Sequence, residues 1–459
     1  MAKDPDVIVI GAGAAGLGAS ITLARAGVSV TILEARDRIG GRIFTLHDPK
    51  CDAPVELGAE FIHGRPPETW NLLKSHKVRT VEVDGDNWCV NNGRLGTCNF
   101  FSDVDKILKK MDGRKPDQSF LNFLHRCCPE SKNERQQQAR TWALGYVTGF
   151  NAADPSLVGV HWLVKSMRAE EKIEGDRAFR AEHGYADLMN IFQQELNSSG
   201  VSVQKNTVVE NIRWKKGRVE IDARGLNGVV TWSARSALIT VPLGVLQARS
   251  EEHGAIAFVP DLPTQKRDAI RNIMMGKVIR VTLQFRERFW EALPKSAAKS
   301  RRKNSKTTSG VSFLFSHDDW FPTWWTMAPK KLPFLVGWAP FRCAERLSGK
   351  NESFVTEQAL QTLHRLWGIS VPELESLFEH AYCHDWQNDP FSRGAYSYGK
   401  VGGDGMEEAL AKPLENTLFF AGEATDTGGH NGTVHGAIAS GHRAAAEICR
   451  SFPPAKVGG

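Results

Sequence analysis

Gly11, Gly13 and Gly16 stand at the spacing G-x-G-x-x-G, and Glu34 follows about 20 residues after the second of them, a pattern suited to holding a dinucleotide. Each position has a mechanical duty. The first glycine permits a tight turn, the second lets backbone approach a pyrophosphate, and the third lets the next helix pack close to a sheet. A carboxylate at Glu34, followed by Ala35 and Arg36, can accept hydrogen bonds from an adenosine ribose and favours NAD or FAD over a phosphorylated ribose.

The neighbouring residues supply the elements that such a site needs. Val7 to Ile10 is a short apolar run, as expected of a strand buried on both faces. Ala15 and Gly16 open a helix with Leu17, Ile21 and Ala24 on one face, which stops at Gly27. Its N-terminus offers free N–H groups and the positive dipole end to a phosphate. A second strand, Val28 to Leu33, ends at Glu34.

Directly after that strand comes "RDRIGGR", with Arg36, Gly40, Gly41 and Arg42. It resembles the RxGGR continuation of the flavin amine oxidase family, in which the chain returns to the pyrophosphate and the flavin ring. The resemblance selects FAD; the glycine pattern alone leaves NAD open. Three further blocks are similar to the same family. "VELGAEFIHG", Val55 to Gly64, is like the segment along the flavin ring, and implies contacts from Gly58, Ala59, Glu60 and Phe61. His63 falls where polyamine oxidase relatives place a polar or acidic pocket residue; a satisfied loop histidine is the alternative. "WQNDPFSRGAYSYG" resembles one wall of the flavin site, with Trp386 at its start. Animal monoamine oxidases carry there a cysteine bonded to FAD. This chain has Ala395, which implies non-covalent FAD, and Tyr396 aligns with an aromatic over the substrate amine.

The last block is "NTLFFAGEATDTGGHNGTVHGAIASGHRAA". Thr417 to Ala421 reads as a strand, Gly422-Glu423 ends it, and a helix starts near Thr433 after a glycine-rich loop that includes Gly432. Small residues at Ala437, Ser440, Gly441 and Ala444 suit tight helix–sheet packing. Glu423 resembles the family acid at the ribityl–pyrophosphate region, and Gly432, Thr433 and Val434 are implied at the ring, where a helix N-terminus favours negative charge. Monoamine oxidases have a tyrosine at the Thr433 position; "TVHGA" is like polyamine oxidases and histone lysine demethylases. The length leaves no room for the coiled-coil insertion and extra N-terminal domain of those demethylases, so histone demethylation ranks below amine oxidation as an expectation.

In "MGKVIRVTLQF", alternation sets Lys277, Ile279, Val281, Leu283 and Phe285 on one strand face and Val278, Arg280, Thr282 and Gln284 on the other. Burying an unpaired ammonium is costly, so Lys277 either reaches solvent or serves the chemistry. The resemblance implies the second, since a lysine in this context holds a water against the flavin's reactive ring nitrogen.

The expected fold is α/β, a Rossmann-like FAD-binding domain with an interleaved α+β substrate domain. The first comprises about residues 1–75, 200–250 and 390–459, including a strand meander that resembles the family's own, which implies that backbone near Val208 holds the adenine. The second comprises about 76–199, helix-rich, and 251–389, rich in tryptophan: Trp290, Trp320, Trp324, Trp325 and Trp338. These tryptophans suit a core as well as a pocket.

Bulk properties agree with a globular enzyme. The chain has 459 residues, 41% apolar and 24% charged, with a net charge of +6 that demands no nucleic-acid partner. The basic run Lys295 to Lys306 reads as a solvated loop. No segment has the roughly 18 apolar residues of a membrane span, "PPAKVGG" is no tail anchor, and a cytoplasmic location is expected. Eight scattered cysteines lack zinc-type spacing, so reduced structural thiols and no metal are expected. The resemblance implies FAD-dependent oxidation of a small-molecule amine, polyamine or monoamine, to an imine, with O₂ reduced to H₂O₂. The alternatives are an L-amino acid oxidase, a flavin amine dehydrogenase with another acceptor, and a non-catalytic FAD-binding protein. The oligomeric state is not legible.

Overall fold

The computed structural model describes residues 4–51, 53–91, 94–98, 100–292 and 310–452. The basic run and the C-terminal "PPAKVGG" lie outside them. The chain is α/β and is organised around two sheets. The first has five parallel strands in the spatial order 202–204, 30–33, 7–10, 236–239 and 418–420. Both faces are covered. Val7, Val9, Val30 and Ile32 pack into one apolar cluster, while Ile8, Ile10 and Leu33 enter another, which explains the unbroken apolar runs. The first strand has neighbours on both sides that lead away from it in opposite directions. Ligands in such sheets bind at that switch point, off the carboxyl ends of the strands.

The helix Ala14–Arg25 ends as its sequence predicts. Gly27 has φ +80°, and the amides of Gly27 and Val28 bond back to Ala24 and Leu23. The final helix, Val434–Ser451, crosses it closely: a Cβ on Gly441 would lie 2.2 Å from the Ala15 carbonyl oxygen. Its small residues therefore admit another helix, where helix–sheet packing was expected.

The second sheet has seven strands, in the order 378–383, 278–285, 334–340, 323–326, 311–315, 86–91 and 94–97. It is antiparallel except where 311–315 runs parallel to 86–91. The helices Phe101–Leu108, Phe120–Cys127, Glu134–Phe150 and Val160–Glu171 gather around another apolar cluster. Trp290 and Trp324 are buried core, whereas Trp325 and Trp338 reach the central cavity.

One thiol expectation is corrected. Cys89 and Cys98 form a disulfide, with Cα atoms 5.2 Å apart, because the hairpin 86–97 folds Cys98 back beside its partner. Among the described residues, no helix is long and apolar enough to cross a membrane.

Candidate active site

A cavity of about 1210 Å³ runs from the carboxyl edge of the five-stranded sheet to the face of the seven-stranded one. At the sheet end it is lined by Gly11, Gly13, Ala15, Glu34, Ala35 and Arg36, with Val208 from the meander alongside. Gly40, Gly41 and Arg42 continue the wall toward Gly58, Ala59, Glu60 and Phe61. His63, Trp386, Tyr396, Gly422, Glu423, Gly432, Thr433 and Val434 complete the set. Two expected residues do not line it. Gly16 sits behind the glycine loop, where a Cβ would come within 2.1 Å of the Gly11 carbonyl oxygen.

Lys277 is the other, and its expected role is corrected. It precedes the strand Val278–Phe285, is half exposed, and pairs with Glu345 at 2.8 Å. At a strand end the long side chain reaches water and avoids the desolvation that its apolar face would impose. The cation of this strand that lines the cavity is Arg280, on the opposite face.

The dinucleotide end fits an anionic ligand. No side chain caps the first turn of the helix Ala14–Arg25, and no acid stands in it. Nothing lies within 4 Å of where a Gly13 Cβ would be, so the loop leaves open space. Glu34 accepts from the amides of Ala12 (2.7 Å) and Arg36 (2.9 Å), which fixes the carboxylate beside the loop. The Arg36 guanidinium is held by Asp389 (2.7 Å) and Ser392 (3.1 Å). Burial alone would raise the Asp389 carboxyl, but His384 and Arg36 hold it well below the usual range.

Midway, Glu423 fastens three segments together. One oxygen accepts from Arg42 Nη1 at 3.0 Å; the other accepts from the Ser397 hydroxyl at 2.6 Å and the Gly432 amide at 2.8 Å. Arg42 also donates to the Ala395 carbonyl, and Trp386 Nε1 to that of Leu57. Gly58 must be glycine, since a Cβ would sit 1.9 Å from the Arg42 carbonyl oxygen.

The far end is aromatic, and its buried histidines are uncharged. Tyr396 donates to the Phe150 carbonyl at 2.8 Å, and burial raises its hydroxyl far above neutrality. Burial pushes His63 down to about 4, and burial with neighbouring histidines pushes His435 to about 3, so both rings are neutral. Phe61 and Phe150 border His63 at ring-centre distances of 6.1 and 5.5 Å. Burial raises Glu170, on the same cavity, to about 7. The Thr433 hydroxyl is committed: it accepts from the Gly436 amide as helix N-cap and donates to the His430 carbonyl.

Sequence reasoning missed Arg180, Arg280 and Trp325, which surround Glu60. Glu60 is bonded by Arg180 Nε (2.6 Å), Arg280 Nη2 (2.6 Å) and Trp325 Nε1 (3.0 Å). Burial opposes its ionisation, but the two guanidiniums outweigh burial and its carboxyl lies below the ordinary value. The available signal was Arg280 itself, on the more polar face of an otherwise apolar strand.

The family described as "Flavin containing amine oxidoreductase" matches residues 14–126 and 104–449. The chain is 30% identical over 467 residues to lysine-specific histone demethylase 1 homolog 2 of Arabidopsis thaliana, covering 96% of this chain and 58% of that protein. It is 27% identical over 475 residues to polyamine oxidase 2 of Arabidopsis thaliana, covering 98% of this chain and 88% of that one. It thus spans less than two thirds of the demethylase homologue. Among solved structures it is similar to a putrescine oxidase bound to putrescine, with a TM-score of 0.77 at 20% identity, covering 97% and 98% of the two chains. A cyclohexylamine oxidase from Brevibacterium oxydans gives 0.75 at 19% identity, covering 98% and 99%.

Proposed function

The chain belongs to the flavin containing amine oxidoreductase family, and on that premise we propose that it is an FAD-dependent amine oxidase with dissociable cofactor. The observation that carries the reading is the continuous cavity joining a dinucleotide cradle to an aromatic chamber. The residues expected to hold FAD are the glycine loop, Glu34, Val208, Arg36, Arg42, Gly58 to Phe61, Trp386, Gly422, Glu423 and Gly432 to Val434. We assign them to a cofactor domain of about residues 1–75, 200–250 and 390–459, with 76–199 and 251–389 as the substrate domain. Ala395 stands where a covalent link would need a thiol.

Bound there, FAD would take a hydride equivalent from the amine's α-carbon and deliver two electrons to O₂, giving H₂O₂. The chain's own residues prepare the substrate. An amine donates hydride only when neutral, and the walls formed by Phe61, Phe150, Trp325 and Tyr396 disfavour an ammonium ion. Neutral His63 offers a lone pair to an amine N–H without imposing a positive charge. The hydrogen bond to Phe150 fixes Tyr396, and Gly432 leaves room for its ring: a Cβ there would lie 3.1 Å from Tyr396 Cδ2. Catalysis is then largely positioning. The imine product hydrolyses to an aldehyde plus amine or ammonia. Polyamines and monoamines are the proposed substrates.

The test is to purify the chain and release its chromophore with acid, which yields free FAD on this reading. Anaerobic addition of putrescine, spermidine, benzylamine and amino acids then identifies which compound bleaches the flavin. H₂O₂ formed in air in a 1:1 ratio with substrate establishes the oxidase. A colourless protein that takes up no flavin, or bleaching only by carboxylated amines, overturns the proposal.

A further inference from the structure

The seven-stranded sheet brings a buried guanidinium to the cavity wall. Arg280 is 5% exposed, lies within the strand Val278–Phe285, and lines the cavity. Its Nη2 meets Glu60 at 2.6 Å and its Nη1 donates to the Gly58 carbonyl at 3.1 Å. Its Nε is buried and has no protein partner. Glu60 is shared: Arg180 binds its other oxygen, and also donates to the carbonyls of Thr326 and Ala328. Two guanidiniums and one carboxylate carry one net positive charge, which the neighbouring Glu56 carboxyl, pushed up by burial to about 7, offsets only in part. Such a charge is costly without a further partner.

Arg280 and Glu60 reach the cavity and Arg180 does not, so the excess charge meets the cavity at Arg280. No lysine lines this space among the described residues. Position along the cavity identifies what the charge faces. The dinucleotide cradle at Gly11–Ala15 and Glu34 occupies one end, so the segment carrying Gly58 and Glu60 stands at the ring end. We infer that Arg280, clamped by Glu60, is the fixed cation facing the flavin ring system, where it favours the reduced, negatively charged cofactor. The inference rests on the reading that flavin binds in this cavity. A guanidinium suits this role because it does not lose its proton and its planar fork is held by two acceptors. Arg180, Glu60 and Trp325 are positioning residues, acting through Arg280.

The test is the two-electron midpoint potential of the flavin-loaded protein, measured with redox dyes and no amine. Arg280→Met is expected to lower it by at least about 30 mV, a tenfold change in the reduction equilibrium. Arg280→Lys, which keeps a cation, is expected to recover most of that loss. Glu60→Gln, which removes the compensating negative charge, is expected to raise the potential; should Arg280→Met not fold, this opposite shift decides. A potential equal to that of the unsubstituted protein in Arg280→Met or Glu60→Gln overturns the inference while leaving the amine oxidase reading intact. An unsubstituted protein that takes up no flavin overturns both.

Discussion

Gly13 and Gly16 lie three residues apart and are glycine for opposite reasons. A Cβ on Gly16 would meet the Gly11 carbonyl oxygen at 2.1 Å, whereas a Cβ on Gly13 would meet nothing within 4 Å. The first constraint comes from the fold and the second from whatever fills the space. Gly13→Ala is therefore expected to leave the thermal midpoint nearly unchanged and to weaken FAD binding at least tenfold, about 1.4 kcal/mol. Gly16→Ala is expected to destabilise the protein itself, by about 1–3 kcal/mol, as overpacking does. Calorimetry of the flavin-free protein beside FAD titration separates the two. Equal destabilisation by both substitutions would contradict the assignment.

Arg42 and Glu423 are 381 residues apart in sequence and bonded at 3.0 Å. Glu423 also holds Ser397 and the Gly432 amide, so it aligns three stretches of the cavity wall. Glu423→Ala leaves Arg42 without this charged partner and takes the acceptor from three more donors, the Ser397 amide and hydroxyl and the Gly432 amide. A hydrogen bond to a charged group contributes about 1.5–3 kcal/mol. We expect FAD affinity to fall roughly 10- to 100-fold, read from recovery of flavin fluorescence on dilution. Glu423→Gln keeps an acceptor and should retain part of the affinity. If both variants hold FAD as tightly as the parent, Glu423 does not organise the site.

Lys277 pairs with Glu345 at the surface, and both side chains are nearly half exposed. Exposed pairs of this kind contribute about 0–1 kcal/mol. Lys277→Met should change the unfolding midpoint little and leave flavin reoxidation by O₂ at the parental rate in stopped-flow measurements. A reoxidation rate reduced tenfold would restore the role expected from sequence resemblance.

The contrast between Lys277 and Gly13 shows where sequence reading succeeds. The nucleotide half was legible because its constraints are local. Apolar runs, the φ of a terminating glycine and a carboxylate at a strand end need only a few neighbours to be recognised. Alternation also separated Lys277 correctly from Arg280. It did not say which face of the strand would look into a cavity, since that depends on the sheet and helices packed against it. The cluster around Glu60 is more remote still: Arg180 and Trp325 reach it from strands 120 and 265 residues away. The Cys89–Cys98 pairing was missed for a different reason, because the expectation followed the redox compartment while the hairpin set the geometry.

Burial makes the cavity's titrating groups opposing contributors to stability. A histidine has an unfolded pKa near 6.5, and His63 and His435 are held down to about 4 and about 3. As pH falls below 6.5 the unfolded chain takes up protons first, so the stability present above that pH is progressively lost down to the folded values. Glu170 has the opposite sign. Burial raises it from 4.5 to about 7, so its contribution is present below pH 4.5 and is lost as pH rises through 7. Between pH 4.5 and 6.5 the two effects partly cancel. His63→Leu should make the loss of stability on acidification shallower over that window, and Glu170→Gln should make it steeper. The limiting change is about 1.4 kcal/mol per pH unit for each group. Urea midpoints measured across the window for the parent and both variants decide the matter; three parallel lines would mean that neither group is held away from its ordinary protonation state by this cavity.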